Sequence, residues 1–134
     1  MMRLTRMTLP LLVLLPGLCQ ALTIGPGVDV KSALGQPFHG QVRLSSLGDL
    51  TVDDFKVTLG SDEDFKRMGL DGTVYYAPDL SFTPVVNPGG DSYIDIRSTH
   101  PVNEPVMDFV MHVSWPNNDR LVDVPVMLDP AGGK

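Results

Sequence analysis

The chain has 134 residues, with 16 acidic residues against 10 lysines and arginines, and its formal net charge is −6 at pH 7. An acidic surface repels phosphate backbones and anionic lipid headgroups. The composition therefore argues against nucleic-acid binding and against direct binding to a lipid surface.

The first 21 residues have the three-part layout of a secretory signal peptide. Arg3 and Arg6 precede an apolar run over residues 9–18, and the small residues Cys19 and Ala21 follow it. The run is about ten residues long, against the roughly 20 that a membrane-spanning helix needs, so an uncleaved anchor is the weaker alternative. A lipid-modified cysteine is disfavoured because a leucine, not a small residue, precedes it. We predict cleavage after Ala21 and export to the periplasm.

Cleavage would leave 113 residues, which suits one domain over residues 22–130 with a loose tail over 131–134. The two arginines of the signal are lost, so eight basic residues remain against 16 acidic ones and the net charge becomes about −8. The single cysteine is lost as well. A hydrophobic core without disulfides must then hold the domain, which is feasible above about 80 residues.

Six segments of the remaining chain alternate apolar and polar side chains, which is the pattern of a half-buried strand. They cover residues 38–45, 55–59, 79–83, 93–97, 108–115 and 121–128. In the fifth segment the parity directs Phe109 and Trp115 to the core and Val110 and His112 to the outside. Glycine and proline separate the segments. The pattern predicts an all-β fold, an antiparallel β-sandwich of about six to eight strands, with a barrel as the alternative.

One short helix is predicted over about residues 61–69. Ser61 is a good N-cap, acidic residues fill the first turn, basic residues fill the last turn, and Gly69 ends the segment. Phe65 and Met68 are three residues apart and are expected to share the buried face.

Two turn sequences join predicted strands. Residues 116–119 read Pro-Asn-Asn-Asp, which predicts a hairpin between the last two strands, and residues 87–91 predict a turn between earlier ones. Pro125 has no N–H to donate, which places the last strand at a sheet edge with that position facing outward.

No constellation in the sequence predicts catalysis, and we assign no catalytic, metal-binding or cofactor-binding residue. Three histidines remain, His39, His100 and His112, and they are far apart without a metal-site spacing. A zinc-dependent enzyme would require the fold to bring them together. Acidic residues at 53–54 and 62–64 lack the spacing of a calcium loop, and the second group already favours a helix N-terminus.

The aromatic residues offer a different alternative, a platform for a sugar or a peptide. Trp115 with Tyr75, Tyr76 and Tyr93 would supply such a surface. The parity of its strand places Trp115 with the core, so packing is the favoured interpretation of this residue.

Several separated motifs resemble the periplasmic N-terminal domain of the FimV family of type IV pilus assembly and pole-organising proteins. Residues 30–38 read VKSALGQPF, similar to that family's "SALNQPL", and residues 61–70 are similar to its "SPEDFARAGI". Further matches lie at residues 53–59, 104–109, 113–117 and 128–130. The resemblance covers residues 22–130 and implies a domain that binds proteins at the cell envelope.

The chain also departs from that family. Members typically continue into a peptidoglycan-binding LysM module, a transmembrane helix and a cytoplasmic repeat-containing tail, whereas this sequence ends just after Asp129-Pro130. Functions of those parts are not carried over, and we expect a stand-alone domain. Asn118-Asp119-Arg120 replaces a Gly-Arg of the family pattern, which predicts a hairpin loop longer by one residue.

The resemblance and the absence of a catalytic motif together predict a periplasmic scaffold for envelope or pilus-assembly proteins. We predict partner contacts at a sheet edge beside the hairpin. The predicted contact residues are Pro116, Asn117, Asn118, Asp119 and Arg120. A peptidoglycan- or carbohydrate-binding module is the alternative, and a truncated paralogue without partners is another.

Overall fold

The computed structural model describes residues 22–70 and 79–130. The predicted signal peptide over residues 1–21 and the predicted tail over 131–134 lie outside the described residues, as do Tyr75 and Tyr76. Among the residues described, no helix has the length and apolar character needed to cross a bilayer.

Eight strands in two antiparallel sheets make up the described fold. In chain order they are β1 (Thr23–Ile24), β2 (Asp29–Val30), β3 (Pro37–Ser45), β4 (Lys56–Leu59), β5 (Ser81–Val85), β6 (Ser92–Pro101), β7 (Val106–Trp115) and β8 (Asn118–Met127). The first sheet has the order β1-β3-β6-β5, and β2 also pairs with β3. The second sheet has the order β4-β7-β8. The predicted β-sandwich and its six predicted strands are confirmed. The strands β1 and β2 were not predicted, because two residues show no period.

The core lies between the two sheets and follows the predicted alternation. Phe38, Ile94 and Ile96 of the first sheet belong to the same buried cluster as Phe109 of the second. The rings of Phe38 and Phe109 meet edge-on, with 6.5 Å between their centroids. Aromatic pairs favour this geometry because the positive ring edge meets the negative face. Trp115 also packs against the core, as its parity predicts.

The outward position predicted for Val110 needs a correction. Its side chain is on the outer face of the second sheet, but it is fully buried there. The segment that leads into the helix covers it. The Gly60 amide donates to the Val110 carbonyl at 2.7 Å, and a Cβ on Gly60 would lie only 3.1 Å from Val110 Cγ1. The outer face of this sheet is therefore partly covered, which a strand pattern alone does not reveal.

The helix α1 (Asp62–Arg67) and a 3-10 helix (Val52–Asp54) are the described helices. Ser61 caps α1 as predicted: its hydroxyl accepts from the Asp64 amide at 3.1 Å, and the Asp64 carboxylate accepts from the Ser61 amide at 3.0 Å. Phe65 is buried, but the prediction for Met68 was wrong, since 36% of that residue is exposed. The helix ends at Arg67, so Met68 lies beyond the face that packs.

The β7–β8 hairpin is confirmed, and its loop is shorter than the predicted turn over residues 116–119. Trp115 pairs with Asn118, so the loop has only two residues, Pro116 and Asn117, and Asn117 has a positive φ of 64°. The prediction of a loop one residue longer than that of the family pattern stays a prediction.

Candidate protein-binding surface

The edge position predicted for β8 from Pro125 is confirmed by the strand order of the second sheet. Backbone groups of an edge strand alternate between the neighbouring strand and the outside. Because Asn118 closes the hairpin with Trp115, the residues that direct their backbone outward are 119, 121, 123, 125 and 127. Pro125 thus costs no hydrogen bond with β7. Among residues 22–70 and 79–130, none makes a backbone hydrogen bond to this edge.

The side chains of the same five residues lie on the outer face of the second sheet, because side-chain direction alternates with the same period. Two exposed apolar residues form one end of this face: Val106 pairs with Met127, and they are 59% and 76% exposed. Pro125, which pairs with Asp108, is exposed beside them. We define the β8 surface as the outward edge of β8 together with Val106, Asp108, Asp123, Pro125 and Met127.

Two carboxyl groups lie next to the apolar pair. Asp108 in β7 pairs with Pro125 in β8, and Asp123 in β8 pairs with Val110 in β7. Asp123 is therefore the diagonal neighbour of Asp108 across the two strands. The Asp108 Oδ1 atom is buried, and it has no hydrogen-bond partner among the described residues. Burial raises the pKa of Asp108 to about 7, and Asp123 adds to the shift both through a hydrogen bond to the protonated form and through its negative charge. Between about pH 4 and pH 7 this pair therefore keeps a proton that an isolated aspartate would have lost.

The five predicted contact residues lie together at the other end of the same edge. Pro116 and Asn117 form the turn, the three that follow begin β8, and all five are exposed. Asp119 is held on the outer face, where its Oδ2 lies 2.9 Å from His112 Nε2. The structure thus places these residues in continuity with the β8 surface.

The Asp108–Asp123 pair was not predicted from the sequence. Both positions were assigned to outward faces, but their proximity depends on the register between the two strands. The hairpin turn supplies that register, since counting back from Pro116 and Asn117 sets Asp108 opposite residue 125. The signal was therefore present in the sequence, in the combination of the turn and the two strand parities.

The three histidines pair with three different aspartates. His39 Nε2 lies 2.9 Å from Asp95 Oδ1, and His100 Nδ1 lies 3.0 Å from Asp79 Oδ2. The third is the His112–Asp119 pair. The described residues contain no group of three or more histidine, cysteine, aspartate or glutamate side chains placed to hold a metal ion.

The outer face of the first sheet has a polar network around Asp95. Its Oδ2 accepts a hydrogen bond from Arg97 Nε at 2.7 Å. Its Oδ1 lies 2.9 Å from His39 Nε2 and accepts a hydrogen bond from Gln41 Nε2 at 3.3 Å. Burial acts to raise the pKa of Asp95, but the hydrogen bonds from Arg97, His39 and Gln41 together outweigh it and lower the pKa. The network neutralises a partly buried carboxylate and so stabilises the sheet.

The aromatic platform is not formed by the two members that the structure describes. Trp115 is on the inner face of the second sheet, and Tyr93 is on the outer face of the first. Tyr93 instead lines an open cavity of about 490 Å³ with Arg43, Gln41 and Lys31.

Comparisons with known proteins agree with this architecture. The family model described as the FimV N-terminal domain, an Ig-like domain, matches residues 23–131. Two relatives named motility hub protein FimV, from two strains of Pseudomonas aeruginosa, are each 41% identical over 118 residues. The alignment covers 88% of this chain but only 13% of either relative, so the chain spans a small part of their length. The chain belongs to the FimV N-terminal domain family.

Proposed function

We propose that this domain works in the periplasm as a protein-interaction module in the assembly of type IV pilus or other envelope machinery. The observation that carries the proposal is the outward edge of β8, which no described residue covers with backbone hydrogen bonds. Such an edge can bind an extended segment of another protein as an added strand.

Three further observations support the proposal. The relatives are named motility hub proteins, which favours a role connected with pili. The first 21 residues have the pattern of a secretory signal, which favours the periplasm. The exposed apolar residues Val106 and Met127 lie together on the outer face beside this edge, which favours a protein-binding surface.

The partner contact extends, in this proposal, to the hairpin tip formed by Pro116, Asn117, Asn118, Asp119 and Arg120. The tip is exposed and continuous with the edge. Its polar side chains add specificity to the backbone hydrogen bonds of an added strand, which are independent of sequence.

The test is an in-cell crosslinking pulldown with the tagged, exported chain, followed by mass spectrometry. We expect pilus-alignment or secretion proteins to be recovered. Arg120→Glu should reduce that recovery, whereas the matched charge reversal Lys66→Glu, on the exposed side of α1, should not. A folded Arg120→Glu variant that recovers the same partners at the same level would remove the tip from the contact. Recovery of no envelope protein by the unaltered chain would overturn the function.

A peptidoglycan- or carbohydrate-binding module is the second candidate, and the cavity beside Tyr93 is the observation that favours it. An aromatic ring with nearby hydrogen-bonding side chains is a common arrangement for sugar recognition. A pulldown with intact sacculi tests it. Retention that is lost in Tyr93→Ala would support the glycan function, and no retention of the unaltered chain would exclude it.

A further inference from the structure

We infer that the β8 surface binds an extended basic segment of a partner protein, with a lysine or arginine over the Asp108–Asp123 pair and an apolar side chain against Val106 and Met127. The inference rests on the proposed protein-binding function and specifies the chemistry of the partner. It combines three independent features of the same surface.

The first feature is the edge itself. Residues 119, 121, 123 and 127 each present an N–H and a C=O outward, while Pro125 presents only its C=O. An added strand can therefore form a ladder with a single missing donor. The ten residues of β8 are long enough for a stable strand pairing.

The second feature is the unbalanced charge of the acid pair. Asp108 is partly buried and its Oδ1 atom has no donor, whereas Asp123 beside it is exposed. A cation from outside can therefore bind at Asp123 and supply the opposite charge to the pair. The lysine that β4 contributes to this face, Lys56, pairs with Ser114 near the end of β7, whereas Asp108 is near its start. Lys56 is therefore not a neighbour of the acid pair. The acid pair is thus placed to receive the cation of a partner.

The third feature is the apolar pair. Val106 and Met127 are cross-strand neighbours with most of their surfaces exposed. Large exposed apolar side chains that are grouped together indicate an interaction site more strongly than single ones do. This pair lies at the end of the β7–β8 hairpin that is away from the turn, next to the acid pair. A strand bound along β8 would therefore contact the acid pair and then the apolar pair.

Charge distinguishes this partner from a second copy of the chain. Pairing two β8 edges would bring Asp119, Asp123 and their copies onto one sheet face, and the domain over residues 22–130 is itself acidic. Like charges on neighbouring strands are destabilising. A basic segment of a different protein avoids that repulsion.

The probe is a synthetic peptide of ten residues, the length of β8, with lysine at alternate positions and leucine at both ends. Its match has glutamate in place of each lysine. Binding is measured by fluorescence anisotropy with the exported chain. We expect the lysine peptide to bind and the glutamate peptide not to bind. The amides of Asp119, Leu121, Asp123 and Met127 should become protected from hydrogen exchange when the lysine peptide is present.

Asp123→Lys should weaken binding of the lysine peptide by about tenfold or more. The control is Asp53→Lys, which makes the same charge change at an exposed position of the 3-10 helix. Circular dichroism shows whether each variant is folded. Equal binding of both peptides, no binding of either at about 1 mM, or equal effects of the two substitutions would overturn the inference.

The pulldown separates this inference from the proposed function. If folded Asp123→Lys still recovers the same envelope partners, the function stands and the basic-segment inference fails. If the lysine peptide binds but the unaltered chain recovers no envelope protein, the surface has the inferred chemistry and the proposed function fails.

Discussion

The ring of Phe38 occupies the space that a side chain at residue 40 would need. The two residues face the core from the same strand, and a Cβ built on Gly40 would lie 2.7 Å from Phe38 Cζ and 2.9 Å from Val28 Cγ2. The glycine thus leaves room for a ring that crosses the sandwich to reach Phe109. This contact connects β3 of the first sheet with β7, the central strand of the second.

Gly40→Ala should lower the free energy of unfolding by about 1–3 kcal/mol, because the added methyl group must displace a fully buried ring in a close-packed core. Urea unfolding measures the change. Gly90→Ala is the control, since a Cβ there would meet its nearest neighbours at 3.6 and 3.8 Å, which are ordinary contacts. Equal stabilities of the two variants would contradict this account of Gly40.

Asn117 is the second position where the backbone restricts the side chain. Its φ of 64° lies in the left-handed region, which asparagine tolerates and β-branched residues do not. Asn117→Val should therefore lower the free energy of unfolding by about 1–3 kcal/mol. Asn117→Gly, measured in the same urea titration, should leave stability nearly unchanged or raise it. A valine variant as stable as the glycine variant would show that the turn rearranges at little cost.

Local chemistry made most of the fold predictable. Pro125 revealed an edge strand because its missing N–H excludes it from the centre of a sheet. Ser61 marked the start of α1 because its hydroxyl can accept the orphan amide of Asp64. Both features depend on a single residue and its near neighbours in sequence.

Two features that were not predicted from the sequence depend on contacts between distant residues. Val110 is buried by a segment about 50 residues earlier in the chain, centred on Gly60, and no periodicity within β7 records that contact. The Asp108–Asp123 pair likewise requires the register of a hairpin in addition to the pattern of each strand. The candidate surface was therefore predicted only as far as its edge and its turn.

Asp95→Asn should destabilise the protein at neutral pH. The pKa of Asp95 in the folded state is lowered, so its contribution to stability is present above the unfolded pKa of about 3.9 and is lost as the pH falls through the folded value. Removing a carboxylate that holds Arg97 and His39 should cost about 1 kcal/mol or more at pH 7.

The deficit of Asp95→Asn should shrink as the pH falls below about 4, where the unaltered chain loses the same charge. Urea unfolding at pH 7 and pH 3 measures it. Asp53→Asn, an exposed aspartate, is the control and should change little at either pH. A deficit that is equal at both pH values would assign the effect to the shape of the side chain instead of its charge.

Asp108→Asn should have the opposite effect. The pKa of Asp108 in the folded state is raised to about 7, so the folded protein keeps a proton that the unfolded chain releases near pH 4. Stability of the unaltered chain is therefore lost as the pH rises from about 4 through about 7. An asparagine is neutral throughout and can donate to Asp123.

We expect Asp108→Asn to raise the free energy of unfolding at pH 8 by about 1 kcal/mol and to change it little at pH 4. Asp49→Asn, in the exposed loop after β3, is the control and should change it little at either pH. Asp108→Asn should also bind the lysine peptide less tightly than the unaltered chain does, because it removes a charge from the acid pair. Higher stability with weaker binding would mean that the acid pair is retained for recognition at a cost in stability. If Asp108→Asn has the same free energy of unfolding as the unaltered chain at pH 8, ionised Asp108 does not destabilise the fold. A partner cation would then have no such destabilisation to offset.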